Sequence, residues 1–269
     1  MIRLSRITIY PIKALDGIDV PEVSLSSGGA LQGDREFALF DAKERFVNGK
    51  QNEQVHRLRS RYDLTARTIT LSVEDTAASD TFHLDRDRRA LSGWLTNYFG
   101  VSITLKQNCE TGFPDDTDAN GPTVISLGTY QEVATWFPAL SVEQLRHRFR
   151  ANLELAGVPA FWEDRLFSQP GQGIRFRIGE VQFMGINPCQ RCIVPTRNPW
   201  TGQREPIDFQ KKFIARRRET LPEWVNPAHF NHFYRLSVNT RILATDREQS
   251  LQVGDEVTIV DKGIPSQSP

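Results

Sequence analysis

Two cysteines separated by two residues, Cys189 and Cys192, with Arg191 between them, are the side chains best suited to chemistry in this 269-residue chain. A neighbouring guanidinium favours thiolate over thiol, and the thiolate is the form that exchanges disulfides or binds metals. The pair follows Met184-Gly185-Ile186-Asn187-Pro188, which reads as a strand end. Pro188 has no N–H to donate, so the ladder is expected to stop there and leave both cysteines on a loop. Four readings compete. Both cysteines could be small buried hydrophobes. They could share zinc with His229 and His232, although the intervening stretch is longer than in a compact finger and His-x-x-His is tighter than the usual spacing. They could form a redox dithiol, but that motif opens a helix in a βαβ unit and Pro195 follows too soon. Or one thiolate could bind molybdenum carried by a pterin dithiolene, since soft donors suit it as they suit other soft metals. Spacing alone does not choose among them.

The elements that must position this segment read mostly as strands. Apolar and polar residues alternate over 2–12, and a short apolar run over 36–40 follows Gly33-Asp34-Arg35. Residues 62–73 carry Leu64, Ile69, Leu71 and Val73, with Thr65-Ala66-Arg67 as a turn. Over 85–99 the period changes: Leu91, Trp94, Leu95 and Tyr98 fall at helical spacing, with Asp85 as the expected N-cap and Gly100 as the stop. Residues 109–122 are polar and punctuated by Gly, Pro and Asp, which predicts a boundary or a long functional loop. Beyond it we expect a strand over 123–127, a helix over 129–137, strands over 149–155 and 174–184, and a helix over 208–218. Strands over 236–244 and 253–260 follow, the latter opening on a Val253-Gly254-Asp255 turn. The expected fold is mainly β with some helices. It comprises an N-terminal β-barrel domain over 1–110, a second β-barrel domain over 111–262 and a flexible tail over 263–269.

Bulk properties narrow the function. Lys plus Arg equals Asp plus Glu at 33 each, so the net charge is zero and a nucleic-acid partner is not expected. The N-terminus lacks the apolar core of a secretory signal, and no run of 18 apolar residues is present to span a membrane. Three cysteines, two of them close together, do not make a disulfide scaffold, so a reducing cytoplasm is the expected location. Cys109 reads as a spectator.

The segment Asn187-Pro188-Cys189-Gln190-Arg191-Cys192-Ile193, followed by Asn198-Pro199-Trp200-Thr201-Gly202, resembles the MOSC family. The opening Tyr10-Pro11-Ile12-Lys13 and Gly33-Asp34-Arg35 are similar to the β-barrel domain that precedes MOSC in many members. Phe149-Arg150-Ala151-Asn152-Leu153, Phe161-Trp162-Glu163-Asp164 and Val253-Gly254-Asp255-Glu256-Val257 extend the likeness to about residue 260. By architecture the chain is similar to amidoxime-reducing components and bacterial N-hydroxylated-base reductases. The resemblance implies a molybdenum cofactor (molybdenum with molybdopterin) whose metal is bound by Cys192, with Cys189 as the alternative. It implies cofactor contacts from Lys13, Arg35, Ser126, Arg150, Asn152 and Arg191. It implies reduction of a small N-hydroxylated or N-oxide substrate with electrons from a separate donor protein, and it also carries an association with pyridoxal phosphate. The alternative is a cofactor carrier or a relay holding sulfur as a cysteine persulfide. Ala14 stands where many members have Ser, which removes a hydroxyl from the expected phosphate site. Glu163 and Asp164 are expected to form plain salt bridges, and His229 and His232 to pack outside the site.

Overall fold

The first strand carries the fold's organisation, because its apolar positions face a core built by both halves of the chain. In a computed structural model, residues 1–205, 208–243 and 249–265 are described, the last five as backbone only. Strand β1 (Arg3–Ile9) buries Leu4, Ile7 and Ile9. Leu4 and Ile7 are three positions apart instead of the two of a regular strand, and a register shift between Leu4 and Arg6 absorbs the extra one. β1 pairs on one side with β2 (Ile18–Val20) and on the other with β10 (Leu153–Ala156). Both early strands therefore lie in the eight-stranded sheet of the second half, in the order β15-β11-β12-β13-β9-β10-β1-β2. The other members are β9 (Val124–Ser126), β11 (Gln172–Ile178), β12 (Val181–Gln190), β13 (Arg235–Ile242) and β15 (Val257–Pro265). β9 and β10 run parallel, whereas the remaining neighbours are antiparallel. β3 (Glu22–Ser24) pairs with β14 (Ser250–Gln252), so a second early strand also joins late sequence.

The rest of the first half packs around its own core. β4 (Phe37–Phe40) pairs with β8 (Thr104–Gln107), and β5 (Leu58–Asp63), β6 (Thr68–Val73) and β7 (Ser79–His83) form a meander. A one-turn helix α1 (Gln54–Arg57) precedes β5. Helix α2 (Arg88–Phe99) lays Leu91, Leu95 and Phe99 onto this core. Gly100 ends it with φ 67°, a left-handed cap that costs glycine no Cβ clash. Asp87, not the expected Asp85, stands at the N-cap position, without a side-chain cap; its carboxylate accepts the His83 N–H, while that of Asp85 pairs with Arg67 at 2.6 Å.

A third core joins α3 (Leu127–Trp136), α4 (Val142–Phe149) and α5 (Asp208–Glu219) to one face of the large sheet. α4 corrects the strand expected over 149–155, which is confined to β10. Its start carries a reciprocal capping box between Ser141 and Gln144, a signal that outranks the short alternation after it. The ladder also does not stop at Pro188. β12 runs on to Gln190, with register shifts between Gly185 and Asn187 and between Pro188 and Gln190. These bulges let a residue without an N–H sit inside the strand. Gly185 is needed in this stretch, because a Cβ there would lie 1.8 Å from the Leu166 carbonyl oxygen. Residues 263–265, expected to open the flexible tail, instead continue β15 to Pro265. Ala244 and residues 266–269 lie outside the described residues.

Candidate functional site

A cavity of about 880 Å³ opens where the first half's loops meet the end of β12. Six of the eight residues singled out above line it: Lys13, Arg35, Arg150, Cys189, Arg191 and Cys192. Eight Lys and Arg side chains face four Asp in its walls, so the cavity favours an anion although the chain as a whole is neutral.

The cysteines are not packed in an apolar interior. Cys192 is exposed on the loop after β12, and Cys189 is half-buried within the strand's last turn of ladder. The arm they sit on is pinned by Arg191, whose Nε donates to Leu236 O (3.1 Å), Nη1 to Phe149 O (3.0 Å) and Nη2 to Ser237 Oγ (2.5 Å). Three of its five donors are thus spent on backbone and hydroxyl, so Arg191 chiefly orients the arm. Arg148, buried, holds the segment beyond Cys192 through Pro195 O (3.0 Å) and Arg197 O (2.7 Å), and it pairs with Glu205.

On the facing wall, Lys13 is 8% exposed and all three of its protons are engaged. It donates to Phe113 O (2.8 Å) and Pro114 O (3.1 Å) and forms an ion pair with Asp115 (2.8 Å). Burial pulls its pKa down, against the opposing pull of Asp115. The two early motifs prove to be one unit. Asp34 Oδ1 accepts the Tyr10 N–H (2.8 Å), the Arg35 N–H donates to Tyr10 O (2.8 Å), and the Arg35 guanidinium lies on Asp34 Oδ2 (2.5 Å). Arg150 sits not on a strand but at the C-cap of α4 with φ 52°. Its guanidinium stacks on Tyr10 (4.0 Å to the ring centroid) and donates to Leu15 O (2.6 Å). No carboxylate pairs with it among the described residues, so apart from the bond to Leu15 O its charge is left for a ligand. Ala14, Arg35 and Arg150, all lining the cavity, have positive φ, and backbone strain of this kind gathers at binding sites.

Two expected contacts lie elsewhere. Asn152 is buried outside the cavity and donates to Thr8 O (3.1 Å), while its Oδ1 accepts from Thr123 and from Arg35 (3.4 Å). It can steady Arg35 but does not face the cavity. Ser126 is fully buried as the N-cap of α3, accepting the Thr129 N–H at 3.1 Å. Conversely, Lys50, Arg59, Asp115 and Arg235 line the cavity without having been singled out. They sit in loops or outside motifs, and only tertiary closure collects them. His229, set aside above, lines it too, and burial lowers its pKa so that the neutral ring is favoured.

Behind the site, Asp164 forms a buried ion pair with Arg217, as expected. Glu163 has no such partner: it is 1% exposed and neither carboxyl oxygen accepts a hydrogen bond. Burial, with Asp164 beside it, pushes its pKa up to about 7, while the nearby Thr129 and Ser126 hydroxyls pull the other way without reaching hydrogen-bond geometry. A free glutamate titrates near about 4.3. Between those values the folded chain keeps a proton that the unfolded chain has released, so stability falls as pH rises through this window and levels off above it. At about 1.4 kcal/mol per unit the swing is on the order of 3 kcal/mol. Glu163→Gln is expected to flatten urea midpoints across this window and to exceed the parent's stability at pH 8. Parallel pH profiles for the two proteins would show that the carboxyl is not held neutral.

The fold and this cavity define a β-rich protein with a cation-lined cavity between its two halves and a thiol on one wall. The chain belongs to the MOSC family: residues 1–113 match the MOSC N-terminal beta barrel domain and residues 123–258 the MOSC domain. It is 26% identical over 242 residues to the molybdenum cofactor sulfurase of Drosophila grimshawi, covering 76% of this chain but 29% of that protein. It is 22% identical over 259 residues to mitochondrial amidoxime reducing component 2 of Macaca fascicularis, covering 78% of this chain and 72% of that one. The chain thus spans less than a third of the sulfurases it matches. The likeness to molybdenum cofactor sulfurases is consistent with a function associated with that cofactor. Among the described residues no helix is long and apolar enough to cross a membrane.

Proposed function

We propose that the chain binds a molybdenum cofactor in this cavity and reduces N-hydroxylated or N-oxide compounds with electrons from a separate protein. One observation carries the reading: an exposed thiol, Cys192, shares a single cavity with Lys13, Arg35 and the uncompensated Arg150. Among the described residues no three His, Cys, Asp or Glu side chains are grouped to hold a metal. Zinc would need such a set, whereas a metal already chelated by its own pterin dithiolene needs one protein thiolate. The residues therefore fit the group. Arg150 and Arg35 would bind the cofactor's phosphate, the former with the donors left over from its bond to Leu15 O, and Lys13 would add a buried positive charge. Arg191 and Arg148 would hold the cysteine arm still. When bound, the cofactor supplies two-electron oxygen-transfer chemistry; the protein supplies placement, charge and access. Lys13 is poorly placed to form a Schiff base with pyridoxal phosphate, because its amine is fully engaged. All three cysteines are free, as a reducing cytoplasm would keep them.

A second reading, a carrier or persulfide relay, draws support from Cys189, a second thiol lining the same cavity. Protein made in a cofactor-competent host should contain molybdenum and pterin in about equal amount to chain, and should reduce a hydroxylamine with a chemical electron donor. Cofactor without turnover favours the carrier. Zinc in place of molybdenum would sink both the metal and the reductase.

A further inference from the structure

We propose that Asp115 is a resident counter-ion on Lys13, which a phosphate dianion displaces on entering the cavity and which shuts out singly charged anions. The proposal rests on the cofactor reading only for what carries the phosphate in the cell.

The two members of this ion pair are unequal. The Lys13 side chain is 10% exposed and the Asp115 side chain 66%. A buried ammonium must keep an anionic partner, whereas a carboxylate that is already mostly hydrated leaves at little cost. The same Asp115 oxygen that contacts Lys13 lies 4.0 Å from the Lys50 ammonium, so one carboxylate sits between two cations. Burial would raise the Asp115 carboxyl, yet Lys13, Arg35 and Lys50 hold it at about 2, and it is ionised at any working pH. A phosphate dianion brings two charges and three acceptor oxygens to that position, which a single carboxylate cannot match.

The backbone on either side is anchored, so the exchange needs a side-chain swing and no opening of the loop. The Phe113 N–H donates to Arg35 O (2.9 Å), and its ring packs against Phe40 and Phe46. Asp116 accepts from Asn239 Nδ2 at 3.2 Å. A tethered carboxylate acts at high effective concentration, so acetate or formate, chemically its equal, gains nothing by competing. Only an anion that binds the two lysines better than a carboxylate does can enter.

The test is calorimetric titration of the cofactor-free full chain with inorganic phosphate and with acetate. Asp115→Asn and Asp115→Ser should each bind phosphate about tenfold tighter than the parent and gain measurable acetate binding. Lys13→Met should bind neither. Because losing the counter-ion could loosen the fold, a second readout is the rise in melting temperature on adding phosphate, expected to be larger in both Asp115 variants than in the parent. Equal phosphate affinity in parent and Asp115 variants, with binding still dependent on Lys13, overturns the counter-ion role and leaves the cofactor reading standing. No phosphate binding by any of the proteins also overturns it, and the molybdenum and pterin content then judges the cofactor reading separately.

Discussion

Cys192→Ala is expected to empty the protein of molybdenum, cutting retention at least about tenfold, because a soft metal loses its one thiolate. Cys189→Ala should keep most of it. Both side chains line the cavity, so position along the arm separates them. Cys192 is exposed and lies past the end of β12, free to approach a ligand from the loop. Cys189 is still in the strand's ladder and half-buried, with its sulfur 3.8 Å from the Gln190 carbonyl. An exposed cysteine contributes little to folding, so Cys192→Ala should melt within about 0.5 kcal/mol of the parent. Metal content by elemental analysis of matched preparations decides the matter. Loss in Cys189→Ala and retention in Cys192→Ala would reverse the ligand assignment.

The largest effect on stability is expected from Arg217→Met. The Arg217 side chain is 1% exposed and its partner Asp164 3%, and the guanidinium also stacks on Phe161 at 4.2 Å. Removing the cation strands a buried carboxylate, a change that costs about 3–5 kcal/mol. Burial already raises the Asp164 pKa against the pull of Arg217, and without the arginine it rises further. In the variant the folded state therefore binds the proton more tightly than the unfolded state does. Stability is retained at low pH and lost as pH rises through the folded-state pKa. Asp164→Leu combined with Arg217→Met should recover most of the loss, since an apolar pair of similar volume can replace a buried ion pair. Denaturant melts of the parent, both single variants and the double variant form the test. A cost below about 1 kcal/mol for Arg217→Met alone would mean that Asp164 is neutral in the parent.

Sequence patterns found most elements and misplaced those where local signals conflict. The turn at Thr65-Ala66-Arg67 and the Gly100 stop are local events, set by residues within a few positions of each other, and both stand in the structure. The strand expected across Phe149 gave way to a helix because the Ser141–Gln144 capping box lies upstream of the alternating stretch. Pro188 misled in the opposite direction. A proline is an obstacle only where its missing N–H is needed, and bulges on both sides of it relieve that need in β12.

For the candidate site the division is similar. The paired cysteines, the early Lys13 and Arg35 and the later Arg150 were visible because each belongs to a short motif, and order along the chain related those motifs to a family. Composition, free cysteines and β-rich patterning were likewise determined by the sequence alone. Only the tertiary structure decided which of the residues share a cavity. It removed Ser126 and Asn152 to buried posts, spent three of the Arg191 donors on two carbonyls and a hydroxyl, and brought in Lys50, Asp115 and Arg235, none of which had been singled out. The physical reason is that a side chain's role follows from which hydrogen bonds and charges remain unsatisfied once the chain has folded. That remainder depends on partners a hundred residues or more away, such as Phe113 for Lys13 and Leu15 for Arg150.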